Sequence, residues 1–306
     1  MSFIAGAGIT NIDLIYSGLP RLPSEGEELF SEGFSVQLGG GVMMTLITLH
    51  RLGIPVKAGT WLGKDMFSRF ALDEMRSMGL VPENFLTGEA LFGETGIPLT
   101  VSTAALTPGE RTFISYTKKA PPGDTELERM YRLCSGAKAV LMQVGYLDVY
   151  RRLKKEGTIL VFDMGWDDTM SLAKYSDYLE TADYFTPNRK EALKITGAKN
   201  PEEAARRLSD YFDRVIVKLD SGGCLVSEAS GMYIIPAIPE FIFADSTGAG
   251  DAFLAGFLYG IYHHRPFAEC VLLGNCTGGK CITSPGCLSA WLTAPELELL
   301  AKQYGA

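Results

Sequence analysis

The stretch Asp245-Ser246-Thr247-Gly248-Ala249-Gly250-Asp251 is followed directly by the apolar run Ala252-Phe253-Leu254-Ala255-Gly256-Phe257-Leu258-Tyr259. The glycines permit a tight turn, and the length and spacing of the apolar run predict a buried helix. A helix that begins at Gly248 or Ala249 leaves its first N–H groups without partners inside the helix, and such an N-terminus attracts anions, above all phosphate. The stretch therefore predicts an anion site formed by main-chain amides.

Asp251 falls in the first turn of this helix, beside the predicted anion site, although it is itself negatively charged. A carboxylate in that position is a poor phosphate ligand, but it could take a proton from a hydroxyl group that attacks the phosphate. The alternative is a glycine-rich loop before a core helix, with Asp251 as an ordinary first-turn charge, because short glycine motifs also match by chance.

A second run of glycines, Leu38-Gly39-Gly40-Gly41, opens a strongly apolar helix that Gly53 closes. Upstream, residues 3–8 form a short apolar run that is typical of a buried parallel strand, and Asn11 and Asp13 follow it. In open α/β sheets ligands bind beyond the carboxyl ends of the strands. These residues are therefore candidates for ligand contacts, with local turn chemistry as the alternative for Asn11 and Asp13.

From residue 124 onward, short apolar strands alternate with amphipathic helices, and a hairpin follows. Such alternation predicts an α/β fold with a mostly parallel sheet and helices on both faces. The predicted strands cover residues 139–143, 159–163, 184–186 and 214–219, and the hairpin covers Cys224–Glu228 and 232–235. The predicted helices lie near 125–134, 147–156, 170–181, 188–196, 201–210, 251–264, 266–282 and 295–304.

Residues 17–37 and 85–117 have a different character. Within the second segment, residues 98–106 and 111–116 alternate like the strands of a hairpin around Pro108-Gly109. The two segments together predict a small antiparallel sheet, which is too small to be stable alone and would rest on the main domain as a lid. The main α/β domain then comprises residues 1–16, 38–84 and 118–306.

The composition is that of a globular protein, with 46% hydrophobic and 21% charged residues among 306. The net charge of −8 and the lack of any block of Lys or Arg argue against nucleic acid or an anionic membrane as a partner. The chain start lacks the basic region of a signal peptide, and no run of about 18 apolar residues occurs. The six cysteines form no C-x-x-C pair, which favours free thiols in the cytoplasm over a zinc site.

Two further motifs could meet a nucleotide. Asn188 and Glu191 stand three residues apart after a predicted strand, so both could face a hydrated magnesium ion or the phosphates that it carries. The alternative is a helix N-cap at Asn188 with Glu191 completing a capping box. Lys218-Leu219-Asp220-Ser221-Gly222-Gly223 ends another strand and turns through glycines, where a ribose or phosphates could pass.

These motifs resemble those of the ribokinase-like, PfkB-type carbohydrate kinases, from the first strand to the last helix. Residues 245–251 are similar to the family's D-T-x-G-A-G-D signature, with Ser246 in place of the usual Thr. Leu38-Gly39-Gly40-Gly41 resembles its N-terminal glycine signature, and Asn188-x-x-Glu191 matches its N-x-x-E motif. Asn11 and Asp13, followed by Pro23-x-x-Gly26-Glu27, resemble its usual opening.

The resemblance implies ATP-dependent phosphorylation of a hydroxymethyl group on a sugar or sugar-like alcohol. Asp251 would be the base, and the transferred phosphoryl group would lie on the amides of Gly248, Ala249 and Gly250. The acceptor would be held by Asn11, Asp13, Gly39, Gly40 and Gly41. The lid would cover the acceptor and form the interface of a homodimer.

The resemblance also implies the nucleotide and cation sites. Glu191 would act on magnesium through water, with Asn188 near the phosphates. Asp245 would lie at the potassium site that many members have. The ATP site would be lined by Lys218, Asp220, Ser221 and Gly223.

Departures from the family pattern concern both the acceptor and the nucleotide. Met44 stands where a sugar-binding Asn is usual, Gly145 where a polar residue is common, and Asp220 where Gly is common. They leave open which acceptor and which nucleotide base the protein binds.

A nucleoside kinase of the same architecture is one alternative, and a non-catalytic sugar or nucleotide sensor is another, although a sensor needs neither Asp251 nor Glu191. A dinucleotide oxidoreductase lacks the required G-x-G-x-x-G after the first strand.

Overall fold

A parallel sheet forms the centre of the computed structural model, which describes residues 2–86, 97–108, 111–117 and 122–305. Within these residues its strands run in the order β10-β9-β8-β1-β4-β5, and each neighbouring pair is parallel. The strands are β1 (Ile4–Ala7), β4 (Val56–Thr60), β5 (Glu83–Asn84), β8 (Ala139–Met142), β9 (Ile159–Phe162) and β10 (Tyr184–Phe185). The predicted α/β class with a mostly parallel sheet is confirmed.

An antiparallel hairpin sheet continues this layer. It consists of β11 (Val215–Lys218), β12 (Cys224–Glu228) and β13 (Gly231–Ile235). A parallel bridge between Asn188 and Lys218 joins it to the chain just after β10, with Lys218 N donating to Pro187 O at 2.9 Å. The predicted hairpin is therefore confirmed, and Lys218 is drawn to the carboxyl edge of the central sheet.

Helices cover both faces because alternate side chains of the strands point to opposite sides. Ile4, Leu141 and Val161 join one buried cluster, whereas Val140 and Phe162 join the other. The helices of the first face are α1 (Val42–Arg51), α2 (Met66–Ser77), α8 (Ala249–Tyr262), α9 (Phe267–Cys281) and α10 (Ala294–Tyr304). Those of the second face are α3 (Asp124–Cys134), α4 (Leu147–Lys155), α5 (Leu172–Thr181), α6 (Arg189–Thr196) and α7 (Pro201–Leu208). None of the described helices is long and apolar enough to span a bilayer.

A small sheet lies apart from this layer, in the order β3-β2-β6-β7. Its strands are β2 (Asn11–Ser17), β3 (Gly33–Leu38), β6 (Thr100–Leu106) and β7 (Arg111–Tyr116). The pairs β2–β3 and β6–β7 are antiparallel, as predicted, but the central pair β2–β6 is parallel. The expected antiparallel sheet is therefore mixed, because β2 and β6 run side by side in the same direction.

The small sheet also takes in more of the chain than its predicted segments. Residues 11–16, expected in the main domain, pair along their length with β3 and β6. Of the predicted second segment, residues 87–96 and 109–110, including Gly109 of the expected turn, lie outside the described residues, as do residues 118–121. Residues 11–16 therefore contribute a strand to the small sheet, and the division of the chain into two domains stays a prediction.

Candidate active site

Helix α8 begins at the carboxyl edge of the sheet, as its sequence predicts. Gly248 is its N-cap and adopts a left-handed conformation with φ of 77°, which a side chain would strain. The Ala249 amide donates to Ser246 O at 3.2 Å, so it closes the turn. Of the predicted anion-binding amides, Gly248 and Gly250 therefore remain available to a ligand within the described part of the chain.

Asp251 lies between this turn and the second glycine run. The Gly41 N–H group lies near its carboxylate, and a Cβ atom on Gly40 would lie 2.6 Å from its Oδ2 atom. Burial raises the pKa of Asp251 to about 6; the Gly41 amide and Lys218 lower it, whereas Glu191 raises it. The carboxylate thus lies against the second glycine run and has the proton affinity that suits a general base near neutral pH.

The predicted acceptor residues come together on the other side of the same glycines. Asn11 Nδ2 donates to Gly40 O at 2.8 Å, and a Cβ atom on Gly39 would lie 2.8 Å from both carboxylate oxygens of Asp13. Asp13 is buried, and its burial raises its pKa to about 6, while Arg111 lowers it. Only glycine at position 39 lets the main chain approach this carboxylate so closely.

A carboxylate cluster surrounds Lys218 at the same edge; its members are Asp163, Glu191 and Asp251. The Lys218 Nζ atom is 3.8 Å from Asp163 Oδ2, and a Cβ atom on Gly250 would lie 3.2 Å from Nζ. Burial opposes the charge on Lys218, but the three carboxylates outweigh it and raise the pKa of this ammonium group. A fixed positive charge therefore lies beside the first turn of α8.

Asp163 is a member of this cluster that the sequence analysis did not single out. Its burial raises its pKa to about 7; Lys218 lowers it, and Glu191 and Asp251 raise it. It directly follows β9, so its charge at the carboxyl end of a buried strand was the signal that could have identified it.

Asn188 and Glu191 form the capping box that was the alternative to a metal role. Asn188 Oδ1 accepts from Glu191 N at 3.0 Å, and Glu191 Oε2 accepts from Asn188 N at 2.8 Å. No three acidic, His or Cys side chains of the described residues are placed to hold a metal ion by themselves. Magnesium, however, is commonly held by one or two carboxylates together with substrate phosphates, and Asp163 and Glu191 fit that role.

The glycine turn after β11 has an exposed part and a buried part. Asp220 and Ser221 are exposed at the strand end, in a 3₁₀ turn. Gly223 is buried, and a Cβ atom there would lie 2.2 Å from Ile235 O, so this glycine serves the packing of the hairpin. Asp220 and Ser221 are thus open to a ligand, whereas Gly223 contributes main chain only.

Asp245 is engaged with other groups of the protein. Its carboxylate pairs with Arg111 of β7 at 3.0 Å and accepts hydrogen bonds from Thr247 and Gly286. Met44 is buried beneath the anion-binding turn, where its sulfur would contact a side chain at position 248. Arg111 could not be identified as a site residue from the sequence, because its partner Asp245 is 134 residues away in the chain.

Comparison with known proteins identifies the family. Residues 1–294 match the model of the pfkB family carbohydrate kinases. An uncharacterized sugar kinase of Archaeoglobus fulgidus is 27% identical over 243 residues, which are 78% of this chain and 95% of that protein. A cytidine kinase of Thermococcus kodakarensis is 44% identical over 91 residues, 29% of this chain and 32% of its own.

The fold agrees with this assignment. The structure of Arabidopsis thaliana ribokinase complexed with ribose and ATP superposes with a TM-score of 0.80 at 22% identity, over 99% of both chains. The family match extends over almost the whole chain and includes both glycine turns and Asp251. The chain therefore belongs to the pfkB family of carbohydrate kinases.

Proposed function

We propose that this protein transfers the γ-phosphoryl group of ATP to a hydroxymethyl group of a sugar or sugar-like acceptor. The observation that carries the proposal is the convergence of Asp251 with two glycine turns: one supplies amides for an anion, and the other borders Asn11 and Asp13. Asn11 and Asp13 orient the acceptor by hydrogen bonds to its hydroxyl groups. Asp251 Oδ takes the proton from the hydroxymethyl group as its oxygen attacks phosphorus.

Charge stabilisation comes from fixed groups of the chain. The Gly248 and Gly250 amides and the Lys218 ammonium group lie around the start of α8, where negative charge would develop on the phosphoryl oxygens. Magnesium bound to the nucleotide would be held by Asp163 and Glu191 and would neutralise phosphate charge. Asn188, Asp220 and Ser221 border the same edge and would contact the nucleotide.

The test is a panel of sugars and nucleosides assayed for ADP release, followed by Asp251→Asn with the best acceptor. We expect kcat to fall by roughly 10²–10⁴-fold, the usual scale of general-base loss. Asp124→Asn is the matched control, because Asp124 also lies in the first turn of a helix but is exposed. Near-normal turnover of Asp251→Asn would reject the assignment of the base.

A nucleoside acceptor is the second candidate. It is favoured by the 44% identity to the cytidine kinase over 91 residues and by the buried Met44, which offers no polar contact to a sugar. If a nucleoside is phosphorylated with a higher kcat/KM than any sugar, the nucleoside is the acceptor.

We also propose a cytoplasmic homodimer that pairs through the small sheet, which would serve as the lid. The face of this sheet away from the site exposes Ile114 to 77% and Phe34 to 58%, with Tyr16 and Tyr116 beside them. Exposed apolar patches of this kind commonly mark interfaces. The six cysteines are buried free thiols, as a reducing compartment allows. Sedimentation should give a dimer that Ile114→Asp converts to monomer; a wild-type monomer would contradict the assembly.

A further inference from the structure

The Asp245 carboxylate is surrounded by hydrogen-bond donors of the protein. Its Oδ1 atom accepts from Thr247 N at 3.0 Å, from Thr247 Oγ1 at 2.8 Å and from Arg111 Nη1 at 3.0 Å. Its Oδ2 atom accepts from Gly286 N at 2.9 Å. Asp245 is buried, and although burial opposes its charge, the hydrogen bonds from Gly286 and Thr247 bring its pKa below the ordinary value. The carboxylate is therefore ionised, with three donors on Oδ1 and one on Oδ2.

Arg111 reaches this carboxylate from the small sheet. Its strand register places it on the same face as Phe113 and Ser115, because alternate residues of a strand share a face. The guanidinium group lies 5.7 Å from the centre of the Phe113 ring and also donates to Thr247 Oγ1 at 2.5 Å. Arg111 thus stands beside the turn that leads into the anion-binding amides.

Arg111 also acts on the acceptor side. Its charge lowers the pKa of the buried Asp13, and the charge of Asp245 raises it. Asp13 and Asp245 repel each other, and the guanidinium group offsets that repulsion. The Arg111 guanidinium group therefore stabilises the charge of two carboxylates, that of Asp13 in the acceptor site and that of Asp245 before the anion-binding turn.

These contacts do not fit a monovalent cation on Asp245. A potassium ion needs free oxygen lone pairs, but Oδ1 already faces two N–H groups and a hydroxyl hydrogen, and Oδ2, which accepts from Gly286 N, keeps a single lone pair. A second cation near the guanidinium group would also meet its positive charge, which arginine cannot lose. The residues present therefore disagree with the potassium site that the family resemblance implies.

We propose that Arg111 takes the place of a monovalent cation, fixes the turn of the anion-binding amides through Asp245 and Thr247, and makes the kinase independent of potassium. Arg111 is a positioning residue: it touches the side chains that shape the turn. The inference rests on the proposed kinase function, because its effect is read in phosphoryl transfer. It adds that the turn reaches its active shape only when the small sheet supplies its guanidinium group.

The test compares wild type, Arg111→Ala and Arg111→Lys in potassium chloride and in tetramethylammonium chloride at equal ionic strength. Wild-type kcat should be the same in both salts. Arg111→Ala should lose about 10–100-fold in kcat, because a misplacement of about 1 Å in a catalytic group can cost on the order of 10²-fold, and potassium should restore several-fold of it. Arg111→Lys should keep more activity than Arg111→Ala because it retains the charge without the planar fork.

Arg21→Ala is the matched control, since Arg21 also pairs with a carboxylate outside the main α/β layer, that of Glu27, at an exposed position. It should match wild type in both salts. A wild type that requires potassium overturns the proposal, as does Arg111→Ala with wild-type kcat or with a loss that potassium does not relieve. A wild type without turnover on any acceptor would instead refute the proposed kinase function, so the two failures are distinguishable.

Discussion

A Gly40→Ala substitution would displace the carboxylate of Asp251, the candidate base, without replacing Asp251 itself. Gly40 does not adopt a left-handed conformation, so alanine fits its backbone. The neighbour that the new methyl group would meet is Asp251 Oδ2, the end of a side chain and not main chain. We therefore expect the variant to fold with nearly wild-type stability but to hold its carboxylate in a different place.

The size of the displacement follows from the geometry. The new Cβ atom would lie 2.6 Å from Asp251 Oδ2, whereas ordinary contacts begin at 3.4 Å, so the carboxylate must move by about 0.8 Å. A displacement of about 1 Å at a reacting group can cost on the order of 10²-fold in rate. We expect kcat to fall by roughly 10–100-fold, while KM for ATP stays near the wild-type value because the nucleotide residues lie elsewhere.

The assay is steady-state ADP release with both substrates varied, together with a thermal melt of each variant. Gly123→Ala is the matched control, because it is also a glycine with negative φ and a Cβ atom there meets nothing within 4 Å. A Gly40→Ala variant with wild-type kcat would show that Asp251 need not occupy its observed position. A large loss of thermal stability would show that the methyl group disturbs the fold instead.

Two further predictions concern the carboxylates at the carboxyl edge. Because burial raises the pKa of Asp251 to about 6, kcat/KM should fall roughly tenfold per pH unit below that value, and a profile flat down to pH 5 would contradict this role. Burial raises the pKa of Asp163 from 3.8 to about 7, so between these values the folded state keeps a proton that the unfolded chain has lost, and stability falls as pH rises through this window. Asp163→Asn should therefore raise the free energy of unfolding at pH 8 by on the order of 1–4 kcal/mol, with little gain at pH 4, while lowering kcat; equal melting temperatures of variant and wild type at pH 8 would refute it.

Local signals in the sequence were sufficient to predict most of the fold. The apolar helix after Gly248 and the hairpin of β12 and β13 depend on neighbouring residues, so periodicity and turn residues predict them. The two glycine turns could be predicted because glycines directly before an apolar helix are a local signal. The pairing of β2 with β6 was missed, since the partners are far apart in the chain and alternation does not reveal strand direction.

The missed site residues share the same physical reason. Asp163 is a single acid at a strand end, and from sequence it is indistinguishable from a solvated charge until Lys218 is placed beside it. The role of Arg111 becomes apparent only when it is paired with Asp245, which lies 134 residues later in the chain. The capping box of Asn188 and Glu191, in contrast, depends on residues three apart, so the sequence itself indicates it as the alternative to a metal role.

The membership of β2 in the small sheet divides the chemistry between two bodies of the protein. Asn11 and Asp13 belong to one, whereas Asp251 and its helix belong to the other. Side chains of β2 can therefore change on the acceptor side without replacing residues of helix α8, whereas Arg111 of the same small sheet contacts Asp245 and Thr247 beside that helix. The glycine turn at 39–41 lies between the two, and an acceptor would present its hydroxyl group to Asp251 across it.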